Sequence, residues 1–216
     1  MSPRDRILEA AMTVFRRHGF RRSSIEETAE AAGLTRQALY HHFKSKEALF
    51  RAVIERVHDG ALADGQAAAE RAEAAGKTLA DIVVAQVAAR LNAFVASFDG
   101  SPHVDELFSE HLIHARDLYQ HYATLHDAQV AATIGRAVRR EKLSLVPGMT
   151  AAKLARYVEL AVTGTKSAYP SMRPADAFLR DAETMLRTLV AGAVAPPKPA
   201  RPKSIRLVRR KAGARK

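Results

Sequence analysis

Residues 24–46 combine hydrogen-bonding side chains with signals that begin and end helices. Ser24 is followed three positions later by Glu27, the pattern of a capping box at the start of a helix. Gly33 can adopt the left-handed conformation that ends a helix, and Thr35 can then cap a second helix. The sequence therefore predicts a helix-turn-helix.

The second of these helices has an apolar side and a polar side. Leu39 and Phe43 lie one turn apart and should face the core, which directs the polar residues outward. The outward set is Arg36, Gln37, Tyr40, His41 and Lys44. Arginine can bond guanine, glutamine can bond adenine, and the first turn of a recognition helix reaches base edges in the major groove. Ser45 and Lys46 begin the next helix, and an ammonium at that position suits a phosphate.

The hydrophobic spacing is helical along almost the whole chain, and strand-like alternation is missing. Further helices are predicted over about 78–98, 104–117, 119–141, 150–168 and 174–194 from their apolar periodicity and the Gly and Pro residues between them. The predicted fold class is all-α. It comprises an amino-terminal three-helix domain with the helix-turn-helix, a larger carboxy-terminal helical bundle and a disordered basic tail.

Charge and composition narrow the functional classes. The chain has 216 residues, a formal net charge of +11 and no Cys, which excludes disulfides, thiolate metal sites and cysteine nucleophiles. Residues 196–216 contain nine Lys and Arg residues and no Asp or Glu, so they are predicted to form the disordered basic tail. No run of eighteen apolar residues occurs, so we expect a cytoplasmic protein that does not bind a membrane.

The stretch from Ile7 to about Val57 resembles the tetracycline-repressor (TetR) family of bacterial transcriptional regulators. The resemblance is carried by AAMTVFRRHGFRRSSIEETAEAAGLTRQALYHHFKSKEALFRAVI and is close at Gly33, at 39–43 and at 45–49. It implies a homodimer with one recognition helix per subunit and a carboxy-terminal helical domain that holds a small effector. The DNA contacts that it implies are Ser24, Thr28, Thr35, Arg36, Gln37, Tyr40, His41, His42 and Lys46.

Three domains are predicted along the chain. Residues 1–57 would bind DNA, with their last helix continuing from 46 to about 59. Residues 58–195 would bind the effector and form the dimer, and 196–216 would be the tail. The stripes on the last two long helices, around Leu154 and Val158 and around Phe178 and Leu186, are candidates for the dimer seam; alternatively, they pack inside one subunit.

Aromatic and His residues are concentrated between positions 94 and 126, as expected for an apolar cavity with a few polar anchors. The predicted effector pocket consists of Phe94, Phe98, Phe108, His111, His114 and Tyr122. On one continuous helix, His111, His114 and His121 would lie close enough to converge. A bound metal, a polar pocket lining, and ordinary surface or core His residues therefore remain alternatives.

The combined features predict a DNA-binding transcriptional regulator that acts as a repressor. An unknown small-molecule effector would release it from a palindromic double-stranded operator. No dinucleotide, kinase or hydrolase signature occurs, so neither an enzyme nor a cofactor is expected. The alternative is an architectural, nucleoid-associated DNA binder that has no effector and relies on the basic tail. A metal-dependent hydrolase built on the His cluster is the third class.

Overall fold

A computed structural model gives the positions of residues 2–196, which are almost entirely helical. The predicted basic tail lies outside these residues, apart from Pro196. The described helices are α1 (Pro3–Arg22), α2 (Ile25–Ala31), α3 (Arg36–His42), α4 (Lys46–Ala74), α5 (Leu79–Phe98), α6 (Val104–His114), α7 (Arg116–Glu141), α8 (Ala151–Ala168) and α9 (Ala175–Gly192), with a short 3₁₀ helix at Pro170–Met172. The all-α fold class is confirmed.

Local side-chain chemistry begins the helices of the helix-turn-helix, as predicted. The Ser24 hydroxyl accepts from the Glu27 N–H at 3.1 Å, and the Glu27 carboxylate accepts from the Ser24 N–H at 2.8 Å. The hydroxyls of Thr35 and Ser45 cap α3 and α4 by accepting from the N–H groups of Ala38 and Ala48, without a reciprocal bond. Gly33 has a φ of 66°, so the turn between α2 and α3 uses the left-handed conformation that glycine adopts without strain.

Helix α4 is longer than the sequence analysis predicted. It runs to Ala74, and the prediction that it ends near residue 59 is wrong. Residues 66–74 are mostly Ala, Glu, Gln and Arg, which are strong helix formers, and Ala68 and Ala69 are buried. The helix therefore continues across the proposed boundary at residue 57, and the division into domains stays a prediction.

The central contact of the fold is between α4 and α5. A side chain at Gly65 of α4 would place its Cβ 2.8 Å from the Gln86 carbonyl oxygen, so the two helices approach each other closely at this point. Helix α5 is fully buried at Ile82, Val83 and Val87 and also packs against α7 and α9. It is long and apolar enough to cross a membrane, but here it forms the core.

Two expectations about the later helices need correction. The predicted helices at 104–117 and 119–141 are both present, but the break between them lies at Ala115 rather than at residue 118, so His111 and His114 do not share a helix with His121. The stripes around Leu154 and Phe178 are buried within this single chain. They therefore belong to the core of the subunit, and the outer sides of α8 and α9 remain available for another contact.

We expect Gly65→Ala to lower the free energy of unfolding by about 1–3 kcal/mol, because the added methyl group meets a backbone oxygen that cannot rotate away. Gly60→Ala is the matched control: it lies in the same helix with no atom within 4 Å of the added Cβ. It should stabilise the protein by about 0.5–1 kcal/mol through helix propensity alone. Urea denaturation checks both; equal effects of the two substitutions would contradict the close contact.

Candidate nucleic-acid interface and ligand cavity

Helix α3 presents a polar face to solvent. Leu39 is fully buried and Phe43 nearly so, which fixes the rotation of the helix. The predicted contact residues Thr35, Arg36, Gln37, His41 and His42 are exposed, and Tyr40 is half-buried. The Arg36 guanidinium pairs with Glu26 of α2 at 2.7 Å and lies over the Tyr40 ring at 5.4 Å. The face is therefore accessible, and Arg36 is already oriented by its neighbours.

Two predicted contacts on α2 have structural roles. The Ser24 hydroxyl is engaged in the capping box described above, and Ser24 remains partly exposed. The Thr28 side chain is 0% exposed and donates to the Ser24 carbonyl at 3.1 Å. A side chain in that position cannot touch a duplex, so we leave Thr28 out of the proposed DNA contacts.

Lys46 connects the beginning of α4 to the end of α1. Its ammonium donates to the carbonyl oxygens of Phe20 at 2.9 Å, Arg21 at 3.2 Å and Ser23 at 3.0 Å. It also lies 4.7 Å from the centre of the Phe20 ring. All three donors of the ammonium are thus used inside the protein, and a contact with phosphate would have to compete with these bonds.

A cavity of about 470 Å³ opens among α4, α5, α6, α7 and α8 and the 3₁₀ helix. This is within the usual size range of small-molecule sites. Its walls are mainly aromatic and aliphatic, with a few cationic and hydroxyl-bearing residues. The lining residues are His58, Arg90, Leu91, Phe94, Phe108, Ser109, His111, Leu112, Tyr119, Thr163, Lys166, Ser167, Tyr169, Pro170, Ser171 and Met172.

The predicted pocket residues are divided between this cavity and other places. Phe94, Phe108 and His111 line it, whereas Phe98 lines an adjacent cavity of about 310 Å³. His114 lies outside both cavities, against the Phe20 ring and within 3.0 Å of the Glu110 carboxylate. Tyr122 lies behind the wall, where it stacks on His58 and donates to Asp59 at 2.6 Å.

Two histidines meet at the wall of the cavity. The Nε2 atoms of His58 and His111 are 3.3 Å apart, so one ring donates to the other. Burial lowers the pKa of His58 to about 3 and that of His111 to about 4. Both rings are therefore neutral at pH 7 and supply hydrogen-bonding groups rather than charge.

Beside the cavity lies a group of charged residues that was not predicted from the sequence. Arg90 of α5 is 5% exposed, with its Nη1 3.4 Å from His126 Nδ1, and the Glu159 carboxylate of α8 is 3.3 Å from the same nitrogen. Burial lowers the pKa of Arg90 and lowers that of Lys166 to about 8, the latter with help from the Arg90 charge. Burial opposes ionisation of Glu159, but the bond to His126 and the nearby cations outweigh it and lower its pKa.

The position of Arg90 was the available sequence signal for this group. It is an arginine in the middle of the mostly apolar helix α5, and charged residues are rarely buried unless they are paired or functional. Glu159 and Lys166 fall on the same side of α8, seven positions apart. The spacing alone does not reveal that they face Arg90.

His126, Asp127 and Glu159 have ligand atoms within 4.8 Å of one another, which is a separation that a metal could bridge. The adjacent Arg90 guanidinium opposes a divalent cation at this place. The neighbouring charges therefore do not favour metal binding, and the Glu159 carboxylate is better explained as the partner of His126 and the nearby cations.

Helix α6 joins the cavity to the helix-turn-helix. Phe108 and His111 line the cavity, while Glu106 and Glu110 reach the end of α1. The Glu106 carboxylate accepts from the Arg21 backbone N–H at 2.7 Å, and that of Glu110 accepts from the Arg21 side chain at 2.8 Å. A displacement of α6 at the cavity would therefore change the position of the end of α1.

Comparison with known sequences identifies the amino-terminal segment. Residues 7–53 match the bacterial regulatory proteins of the tetR family. The HTH-type transcriptional repressor ComR of Escherichia coli is 43% identical over 56 residues, which are 26% of this chain and 27% of ComR. The chain thus aligns with little more than a quarter of that relative, in the region of the helix-turn-helix.

Comparison with solved structures extends the similarity to most of the fold. A protein from Rhodococcus sp. assigned to the TetR family superposes with a TM-score of 0.63 at 20% identity, covering 89% of this chain and 98% of that one. SmeT, the repressor of the Stenotrophomonas maltophilia multidrug efflux pump SmeDEF, gives a TM-score of 0.59 at 22% identity, covering 90% and 91%. At these identities the comparison establishes the shared fold and no more.

The bonds of Lys46 predict a structural effect of its removal. We expect Lys46→Met to lower the free energy of unfolding by about 1–3 kcal/mol, because three carbonyl oxygens lose a charged donor. Lys44→Met removes the same charge from an exposed position that makes one longer bond to the Tyr40 carbonyl, and should change stability by less than about 0.5 kcal/mol. Thermal and urea unfolding of the two variants measure the difference. Equal stability would show that the Lys46 ammonium is free for phosphate.

Proposed function

We propose that the chain is a DNA-binding transcriptional regulator, on the premise that residues 7–53 match the bacterial regulatory proteins of the tetR family. The observation that carries the proposal is the exposed polar face of α3 on a capped helix-turn-helix. Arg36 and Gln37 occupy the first turn of α3, the part of a recognition helix that reaches base edges. Tyr40, His41 and His42 lie farther along the helix and suit phosphate or groove-edge contacts.

We further propose that the protein acts as a homodimeric repressor on a palindromic operator. ComR, which matches this chain over 56 residues, is named a repressor, and this supports repression. Large apolar side chains are exposed on both of the packed helices α8 and α9, where Tyr157, Leu160 and Met185 are each more than two-fifths exposed. Exposed apolar side chains of this kind are typical of a protein interface. A dimer would place two α3 helices to match successive major grooves about 34–36 Å apart.

The cavity supports regulation by a small-molecule effector. The cavity lies beside α6, whose Glu106 and Glu110 carboxylates bond the end of α1. Helix α4 begins at the helix-turn-helix and then forms part of the cavity wall. An effector that binds the form with displaced recognition helices more tightly would lower affinity for the operator. An architectural DNA binder has no use for such a cavity, and its supporting feature, the basic tail, lies outside the described residues.

Sequence reading by α3 can be tested with selection from a random DNA pool. We expect Arg36→Ala and Gln37→Ala each to cost about 1–3 kcal/mol on the preferred operator and to relax the preference at one or two base pairs per half-site. Arg180→Ala is the matched control: its side chain is 68% exposed and paired with Asp176, compared with 64% for Arg36 paired with Glu26. If both α3 variants recover the wild-type operator at every position, α3 does not read DNA.

The dimer face can be tested by sedimentation. Leu160→Glu places a charge in the proposed α8–α9 interface, so we expect a shift from dimer to monomer because an unpaired charge would be desolvated there. Ile113→Glu is the control, since Ile113 is 65% exposed compared with 49% for Leu160 and lies on a different helix, α6. A dimer that survives Leu160→Glu but dissociates in Ile113→Glu would move the interface to α6.

A further inference from the structure

The wall of the cavity carries two positive charges. Arg90 and Lys166 are its cationic residues, and its histidines, His58 and His111, are neutral at pH 7. Within residues 2–196, no Asp or Glu lines this cavity. A ligand inside it therefore meets cationic groups set in an apolar surface.

The Lys166 ammonium faces an aromatic ring rather than a carboxylate. It lies 5.3 Å from the centre of the Tyr119 ring. Among residues 2–196, no carboxylate oxygen comes within the 4.0 Å of an ion pair with it. A cation–π contact supplies only part of what water supplies to an ammonium. The side chain thus retains donors that a ligand can use.

Arg90 is also short of hydrogen-bond acceptors. Its guanidinium has five donors, and its contact among the described residues is the 3.4 Å approach to His126 Nδ1. When His126 donates from Nδ1 to the ionised Glu159 carboxylate at 3.3 Å, that nitrogen has no lone pair left for Arg90. Arg90 is 5% exposed and lines the cavity, so an occupant of the cavity is better placed than bulk solvent to accept hydrogen bonds from its remaining donors.

The carboxylates near these cations do not line the cavity. Glu159 is 4% exposed and lies behind the wall, where it bonds His126, and the Asp127 carboxylate lies near both Glu159 and Arg90. An occupant of the cavity therefore contacts the two cations directly and neither carboxylate, which favours a bound anion. The remaining lining is apolar and aromatic, with Phe94, Phe108 and Tyr119 around the charged groups.

We propose that this cavity binds an amphiphilic organic carboxylate, whose anionic end lies between Arg90 and Lys166 and whose aromatic body packs against Phe94 and Phe108. The effector role of this ligand rests on the proposed function, but its binding to the protein does not. Arginine forms paired hydrogen bonds with a planar carboxylate, and burial strengthens both bonds. Organic cations are disfavoured by the same two charges, and an inorganic anion would leave the aromatic walls without a partner.

The ligand class can be tested with matched compounds on the full-length, DNA-free protein. Naphthyl, biphenyl and phenylbutyl skeletons are each supplied as a carboxylate, a primary alcohol and a primary amine, and binding is measured by thermal shift and calorimetry. We expect carboxylates to bind about ten- to hundredfold more tightly than the alcohols, and the amines to bind most weakly. A panel in which amines or alcohols bind as well as carboxylates, or in which no carboxylate binds, overturns the proposal.

Charge variants locate the anionic end. Lys166→Met keeps much of the side-chain volume and should weaken carboxylate binding about tenfold or more while leaving the alcohols nearly unchanged. Lys153→Met is the control, because Lys153 lies on the same helix but its ammonium bonds the Gly148 carbonyl at the surface. Glu159→Gln should act in the opposite direction and tighten carboxylate binding.

Because Lys166→Met and Glu159→Gln should change carboxylate affinity in opposite directions, either variant can test the proposal if the other is unstable. Lys166→Arg retains the charge and should preserve carboxylate binding, whereas a general loss of packing would weaken all three compound classes alike. Unchanged carboxylate affinity in a folded Lys166→Met protein, or weaker affinity in Glu159→Gln, contradicts the proposed position.

The pH dependence gives an independent readout. Burial lowers the pKa of Lys166 to about 8, so the free protein loses this charge as the pH rises through that value. Carboxylate affinity should be steady from about pH 6 to about pH 8 and then fall by up to about tenfold per pH unit, while alcohol affinity stays flat. The other titratable or charged groups around Lys166 on the packed helices are His58 of α4, Arg90 of α5, His111 of α6, Tyr119, His126 and Asp127 of α7, and Glu159 of α8.

A fall in carboxylate affinity as the pH rises through about 8 identifies Lys166 as the group that titrates. His58, His111 and His126 have pKa values of about 3 to 4, and burial raises the pKa of Tyr119 above its usual 10. Loss of carboxylate affinity above about pH 8 that disappears in Lys166→Met supports the proposal, and a flat profile contradicts it. If carboxylates bind but do not change operator affinity, the ligand assignment stands and the effector role in the proposed function fails.

Discussion

Helix α4 takes part in both the helix-turn-helix and the cavity, and the relative positions of these two features depend on its packing. Leu49 and Phe50, near its beginning, are buried in the core beside α1. His58, two turns later, lines the cavity, and Gly65 meets the backbone of α5. Since close-packed interiors transmit a displacement rather than absorb it, a change of α4 at the cavity must alter the direction in which α3 is held.

Burying the charges beside the cavity costs free energy, and the fold does not need these charges for its stability. Replacing buried ion pairs with apolar residues is often neutral or stabilising, and the helices here already have a continuous apolar core. Arg90 and Lys166 line the cavity, whereas the nearby carboxylates of Glu159 and Asp127 do not. Cations that border a cavity without a carboxylate on the same wall are typical of binding sites, where the ligand completes the pairing.

The features predicted correctly from sequence depend on residues close together in the chain. The capping box of Ser24 and the Gly33 turn involve neighbours within three or four positions, so their chemistry is legible in the sequence. Lys46 bonds carbonyl groups 23 to 26 positions earlier, and Arg90, His126 and Glu159 meet from three different helices. Such partners are set by tertiary packing, which periodicity does not specify. The break between α6 and α7 was predicted at residue 118 and lies at Ala115, where no Gly or Pro fixes its position.

Helix α6 provides a physical link between the cavity and the helix-turn-helix. Phe108 and His111 line the cavity, and Glu106 and Glu110 of the same helix bond Arg21 at the end of α1. The Arg21 side chain is exposed, so solvent weakens its bond to Glu110 relative to a buried bond of the same kind. Under the proposed regulation by an effector, these bonds are the contacts through which a displacement of α6 would reach the end of α1, and a ligand would have to break only exposed bonds to produce it.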